Sequence, residues 1–317
     1  MASKIAVIRT GGTISCVETE KGAVPCTDAG EFVPAHTDET TIIVENLFSK
    51  PSNELLVAEA STLREEILKL EKTGVDGIIV THGTDTMAEM AYFLDLTTEI
   101  EVPIVLTGAQ RRADETSPDG PSNITTGAMA VENRNVTTGV YVAFNDQLHA
   151  ARHVEKVHTS KLEAFASPNA CPVAERYSGG LRFLREPKSY SEYVPFEGLD
   201  ASVRIVKMSL GVDGTQIHEA LEANCDGIVV EAMGLGNTTA SAGEAIVAAI
   251  ESNVTVVITS RCHQGPVSPV YGSSGGGKEL HEKGAIFARE LSSPKARLKL
   301  LVALGSPVAS SALREIF

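Results

Sequence analysis

The sequence predicts an α/β protein of two domains: a larger N-terminal one with a mostly parallel sheet flanked by helices, and a smaller C-terminal α/β one. Short, unbroken apolar runs, suited to strands buried on both faces, alternate with stretches of helical periodicity. That alternation implies parallel pairing through right-handed crossovers. Between Glu186 and Asp200 the apolar periodicity stops, and Pro187, Ser189, Ser191, Pro195 and Gly198 appear. The expected division is residues 1–186, a linker over 187–202, and 203–317, since 317 residues are long for one core.

Taken in order, residues 4–10 open with Ile5, Ala6, Val7 and Ile8, a buried strand that breaks into Gly11-Gly12-Thr13. From 16 to 28 no periodicity shows, and Gly22, Pro25 and Gly30 punctuate the stretch. A loop directly after a glycine hinge is a candidate lid, placed near 14–30. A helix is predicted over 61–73: Leu63, Ile67 and Leu70 share a face, and Thr62 with Glu65 fits a capping box. A strand over 75–80, a helix over 87–96 and a strand over 102–106 follow. Asp119-Gly120-Pro121-Ser122-Asn123 is turn chemistry leading into a helix through Glu132, and a strand over 139–144 ends in Asn145-Asp146. The second domain reads as strand 203–208, helix 215–224, strand 227–231, helix 241–251 and strand 254–259. A last helix over 294–304 is capped by Ser293, with Pro294 in its first turn.

Several strands end in small polar turns, at 10–13, 81–86, 107–110 and 145–146. One such end is a connection. Several on one edge make a polar pocket, because open α/β sheets bind ligands at the carboxyl ends of their strands. Thr81-His82-Gly83-Thr84-Asp85-Thr86 is the richest of them, although Asp85 would also serve as a plain helix N-cap.

Composition excludes several classes. A net charge of −14 offers no basic stripe to neutralise phosphates, which argues against nucleic acid. Aromatic residues are 5% and tryptophan is absent, so platforms for stacking bases or sugars are not expected. No apolar run reaches membrane-spanning length, and no charged head followed by an apolar stretch precedes a cleavage site. The five cysteines form no C-x-x-C pair; a reducing, cytoplasmic location is the expectation.

Two threonines in glycine turns, one beside an aspartate, suggest hydroxyl nucleophile chemistry. A threonine hydroxyl attacks only after a base takes its proton, and glycines let backbone N–H groups face an oxyanion. Spacing does not identify the base; Lys156 is a candidate, and a solvated lysine is the plain alternative. His149 and His153 stand four apart with His158 near, but Ala150 sits where a zinc protease has glutamate, so hydrogen-bonded histidines and no metal are expected. Gly272-Ser273-Ser274-Gly275-Gly276-Gly277-Lys278 nearly spells a phosphate loop. Glu279 follows where a hydroxyl is needed, so the stretch reads as a mobile loop.

Thr10-Gly11-Gly12-Thr13-Ile14 after the first strand, with His82-Gly83-Thr84-Asp85-Thr86 further on, resembles the bacterial-type L-asparaginase family. Thr107-Gly108-Ala109-Gln110, Asp119-Gly120-Pro121, Asn145-Asp146 and the segment around Lys156 fall in family order, so the likeness covers nearly the whole chain. The resemblance implies two α/β domains, a homotetramer or dimer with sites at the subunit interface, and hydrolysis of L-asparagine through an acyl-enzyme without cofactor or metal. It implies Thr13 as nucleophile at the lid hinge, with Lys156 and Asp85 polarising the Thr84 hydroxyl. N–H groups near Gly83 and Thr84 would meet the oxyanion, and the Ala109 carbonyl would accept from the substrate amide. Ser52 and Asn53 would hold the α-carboxylate and α-amine, and Asn237 matches a position that reaches the site from a neighbouring subunit.

One departure stands out. Family members often carry a lid tyrosine, yet the first tyrosine here is Tyr92, and Glu279 and Glu282 are the nearest counterparts of an interface glutamate. Three alternatives accompany the asparaginase reading. They are a dual asparaginase–glutaminase, the asparaginase-like subunit of the archaeal tRNA-dependent amidotransferase, and a non-catalytic amino-acid sensor. That amidotransferase subunit carries a domain before its Thr-Gly-Gly-Thr motif, which here begins at Thr10, and a sensor has no use for a proton relay.

Overall fold

The computed structural model describes residues 3–20, 22–25, 40–191, 193–307 and 312–317, in two units, Met1–Tyr193 and Val194–Phe317. In the first unit, β1 (Lys4–Gly11) is followed by a hairpin of β2 (Cys16–Thr19) and β3 (Gly22–Pro25), then β4 (Thr41–Lys50). Next come α1 (Val57–Glu71), β5 (Gly77–Thr81), α2 (Met87–Thr97), β6 (Ile104–Thr107), α3 (Gly120–Val131) and β7 (Val140–Phe144). Short strands close the unit: β8 (Gln147–Ala150), β9 (Glu155–Lys156), β10 (Phe165–Ala166), β11 (Ala174–Tyr177) and β12 (Gly180–Phe183).

The sheet runs β12-β11-β8-β7-β6-β5-β1-β4. From β7 to β4 every pairing is parallel, and from β7 to β12 every pairing is antiparallel. The parallel strands are the unbroken apolar runs, because both faces are covered: β5 and β7 are buried at every position. Ile5, Val7, Ile79, Val105 and Tyr141 pack with Ala128 and Val131 of α3 in one such layer. Since β1, β5, β6 and β7 run the same way, their carboxyl ends lie along one edge.

The second unit has strands β13 (Val203–Lys207), β14 (Gly227–Ala232), β15 (Thr255–Ser260) and β16 (Ile286–Phe287), in that order and all parallel. Helices α4 (Thr215–Glu222), α5 (Ala240–Glu251), α6 (Gly277–Lys283), α7 (Ser293–Leu304) and α8 (Leu313–Ile316) accompany them. Ile228, Val230, Ile246 and Ile258 sit in its buried core. The mixed α/β architecture, a large parallel-dominated sheet with a smaller parallel one, is the predicted class.

Several local expectations are corrected. Helix α1 begins at Val57, where the Glu59 carboxylate accepts from the Leu56 N–H at 2.7 Å; Thr62 instead donates to the Ala58 carbonyl within the helix. The part of the lid expected to lack structure forms the β2–β3 hairpin, while residues 26–39 lie outside the described residues. Ser292 occupies the cap position of α7, and the Ser293 hydroxyl donates to Glu231 at 2.5 Å. The glycine run that resembled a phosphate loop caps α6, and its Gly275 N–H is taken by the Glu279 carboxylate at 2.7 Å. A carboxylate in that position leaves a phosphate oxygen no donor there.

Candidate active site

The two threonine turns meet backbone to backbone. Gly12 has φ +85°, and a Cβ there would come within 2.4 Å of the nitrogen and Cα of Gly83. Thr10 adds a second tie, donating its hydroxyl to the Thr81 carbonyl at 2.9 Å. Thr13 opens a short 3-10 turn, Thr13–Ser15, and is half-buried. The Gly12 carbonyl anchors that turn, accepting from the Ser15 N–H and hydroxyl at 3.0 Å each and from the Cys16 thiol at 3.2 Å. Ile14 packs into a small buried cluster with Ala109 and Ile124, which ties the Thr13 turn to the end of β6 and to α3.

Lys156 reaches this edge from β9. Its ammonium donates to Thr84 Oγ1 at 2.8 Å and to Asp85 Oδ1 at 2.7 Å. The lysine side chain is 18% exposed and the aspartate 62%, so the pair lies at the rim of the edge, while Thr84 is buried. Ser52 is buried against Gly83, where a Cβ would come within 2.6 Å of the serine Oγ. The Ser52 carbonyl accepts from the Thr86 hydroxyl at 3.1 Å, and Asn53 is exposed on the same turn. The first unit therefore brings together Thr13, Ser52, Gly83, Thr84, Asp85, Ala109 and Lys156. Asn237 belongs to the second unit, where its side-chain carbonyl accepts from the Gly277 N–H at 3.1 Å.

Asp119 and Asn123 support the edge; the sequence reads them as turn residues, with Asp119 in a family-ordered motif, and gives neither a role in the site. The Asp119 carboxylate accepts from the Arg111 N–H at 2.8 Å and the Gln110 N–H at 3.1 Å. Asn123, buried on α3, donates to the Gly108 carbonyl at 2.9 Å and accepts from the Asn145 N–H at 2.9 Å. One amide side chain thus joins the ends of β6 and β7. The available signal is Asp119 and Asn123 four apart at a helix start, which by itself indicates a turn and nothing more.

His82 is fully buried, with Nδ1 2.7 Å from the Gly83 carbonyl. Burial pushes its pKa down to about 4, against the pull of that carbonyl, so the imidazole stays neutral near pH 7 and does not supply charge to the edge. The histidine set considered for metal is differently engaged: His149 lies on a strand rather than a helix, with Nδ1 2.9 Å from Ser167 Oγ. His158 Nδ1 accepts from the Ser160 and Lys161 N–H groups at 3.1 Å. Among the described residues no three His, Cys, Asp or Glu side chains are grouped to hold a metal ion, and no helix is long and apolar enough to cross a membrane.

Chemically, the edge offers two hydroxyls at glycine turns, with a lysine–aspartate pair on one of them. Such a set can polarise a hydroxyl and move a proton without a cofactor.

Both units match known proteins. Residues 4–189 match the family described as Asparaginase, N-terminal, and residues 202–317 match the Glutaminase/Asparaginase C-terminal domain. A protein named "Probable L-asparaginase" from Deinococcus radiodurans is 35% identical over 99% of this chain and 97% of its own length. A glutamyl-tRNA(Gln) amidotransferase subunit from Methanococcus maripaludis is 34% identical over 95% of this chain and 76% of its own. Among solved structures, the probable cytoplasmic L-asparaginase of Campylobacter jejuni superposes with a TM-score of 0.88 at 30% identity, covering 99% of this chain and 98% of that one. On matches that span both units, the chain belongs to the asparaginase family.

Proposed function

We propose that this chain hydrolyses L-asparagine to L-aspartate and ammonia through a threonine acyl-enzyme. The observation that carries the reading is Lys156 within hydrogen-bond distance of both Thr84 and Asp85, on the edge that also holds Thr13. Thr13 Oγ attacks the side-chain amide carbon, the C–N bond breaks, and ammonia leaves with the protons that the Thr84–Lys156–Asp85 relay carries. Water then cleaves the Thr13 ester and restores the hydroxyl.

Gly83 and Thr84 contribute N–H donors to the oxyanion, and the Ala109 carbonyl accepts from the amide. Ser52 and Asn53 hold the α-carboxylate and α-amine, and Asn237 serves the site of a neighbouring copy in a homo-oligomer, a tetramer or dimer. The protein works in the cytoplasm without metal or cofactor, and residues 187–202 join the two domains.

The relative named as an amidotransferase subunit supports a second reading, in which the released ammonia is handed to a partner rather than to solvent. Ammonia release from L-asparagine and L-glutamine, for wild type and for Thr13→Ala and Thr84→Ala, tests the proposal. Asparagine turnover lost in both variants is expected, and the glutamine rate ranks the dual-specificity alternative. No turnover of either amide by folded protein contradicts the enzyme reading; asparagine binding without ammonia release would favour the sensor.

A further inference from the structure

Directly after the Thr13–Ser15 turn, the chain enters the β2–β3 hairpin, and β3 comes back against that turn. Among the described residues, a cluster of charges around Arg112 ties the hairpin to the rest of the unit. Its Nη2 donates to Glu18 of β2 at 2.9 Å, while Nε reaches Asp114 at 3.0 Å and Nη1 lies 3.4 Å from Glu115. The Glu18 N–H in turn donates to Asp114 Oδ2 at 2.8 Å, so the hairpin is tied by its backbone as well as its side chain. Glu115 closes the loop on itself by accepting from the Arg112 N–H at 3.1 Å. The segment that carries Arg112 begins at Gln110 and Arg111, whose N–H groups Asp119 holds beside Ala109.

We infer that Arg112 is a positioning residue: by clasping Glu18 and Asp114 it holds the β2–β3 hairpin, and with it the Thr13 turn, in the substrate-competent arrangement. This rests on the proposed role of Thr13. One exposed ion pair has little hold on a chain. Here one guanidinium meets three carboxylates, and one of those also takes a backbone N–H from the hairpin, which makes a network of charge-assisted bonds. Loss of the clasp reduces the fraction of molecules with the hairpin in place. A ligand that needs that fraction then binds more weakly in proportion, while turnover at saturation stays close to wild type.

Cys16 reports the hairpin independently of catalysis. It is the first residue of β2, 7% exposed, with its thiol donating to the Gly12 carbonyl. Alkylation by N-ethylmaleimide, read cysteine by cysteine by mass spectrometry, measures how often the hairpin lifts; buried Cys225 monitors opening of the second unit, and an unshifted urea midpoint of the variants monitors the first. Burial raises the Cys16 pKa and the nearby Arg112 lowers it, so removing the charge alone would slow alkylation.

In Arg112→Gln and in Glu18→Gln we expect Cys16 alkylation about fivefold faster with Cys225 still protected, and an asparagine KM about fivefold higher with kcat within twofold. Wild type should approach the variant rate in 1 M salt, where screening acts over about 3 Å, and Arg112→Lys should recover part of the protection. Unchanged or slower Cys16 alkylation in both glutamine variants, or acceleration that salt does not reproduce in wild type, overturns the clasp. So does a kcat loss at unchanged KM. Absence of asparagine turnover in wild type contradicts the functional reading instead, and the alkylation result still decides whether the clasp holds the hairpin.

Discussion

Lys156 Nζ donates to Thr84 Oγ1 at 2.8 Å across 72 positions of sequence, and to the neighbouring Asp85 at 2.7 Å. Because the hydroxyl oxygen is occupied as an acceptor, its own proton is free to point toward a reacting group, and Asp85 balances the charge left on the lysine. The aspartate is 62% exposed, so the ion pair adds little to folding. Lys156→Ala should therefore cost less than about 1 kcal/mol in a urea titration. It should lower asparagine turnover by about 10²- to 10⁴-fold. A comparable loss of stability would mean that the lysine is structural.

The contact of the two threonine turns gives a sharp glycine contrast. Gly12→Ala must adopt φ +85° and also place a methyl group 2.4 Å from the Gly83 backbone. Gly74, at φ +73°, has nothing within 4 Å of the added carbon. Gly74→Ala should cost about 1 kcal/mol, the strain of the backbone region alone. Gly12→Ala should cost about 3 kcal/mol or more and abolish turnover. Thermal or urea unfolding of the two variants side by side decides the matter.

Asn123 joins Gly108 to Asn145 from within a buried site. Truncating it leaves a carbonyl and an N–H without their partner, so Asn123→Ala should cost about 1–3 kcal/mol. If the strand ends place Ala109 for substrate, kcat/KM should also fall in Asn123→Ala while Thr125→Ala, on the exposed side of the same helix, leaves it unchanged. Steady-state kinetics of the two variants provides the check.

Asp95 on α2 is buried, with its carboxylate accepting from the Ser189 hydroxyl at 2.9 Å. Burial raises its pKa from 3.8 to about 6 although the Ser189 bond and the Arg152 charge act the other way. Between those two values the folded state holds a proton that the unfolded chain has lost, so this group's contribution to stability falls as pH rises toward 6. Asp95→Asn keeps an acceptor and removes that penalty. The variant should match wild type near pH 4 and gain up to about 3 kcal/mol above pH 6, at about 1.4 kcal/mol per unit. His82 titrates alike in both proteins and drops out of the difference. Urea titrations at pH 4.5 and 7.5 measure it; an equal gap at both values contradicts the assignment.

Metal removal should leave turnover intact: full asparagine hydrolysis is expected in excess chelator. Loss restored by zinc would return attention to His149, His153 and His158.

The parallel part of the fold is legible in the sequence. Ile5–Ile8 and Ile78–Val80 are unbroken apolar runs because those strands are buried on both faces, and the α/β class follows from them. The antiparallel flank of β8, β11 and β12 and the separate β9–β10 pair leave no such trace: strands of two to four residues, several of them partly solvated, carry no readable period. Strand β4 escapes for a related reason, since it lies at the sheet edge and its burial does not alternate. In the candidate site, the glycine and threonine turns are legible from composition. The meeting of Lys156 with Thr84 is not, because β9 supplies the lysine after a long excursion and only the family resemblance points to it. Asp119 and Asn123 look like ordinary turn residues until the strand ends they join are seen together.

The most direct test of the relay is a double-mutant cycle on Lys156 and Thr84. Asparagine turnover is measured for Lys156→Ala, Thr84→Ala and the double variant, each shown to be folded. If the two side chains act as one proton-moving unit, the double variant should be no slower, within about threefold, than the worse of the singles. Losses that multiply would show that Thr84 and Lys156 act separately, and the account of the Thr84–Lys156–Asp85 relay would be wrong.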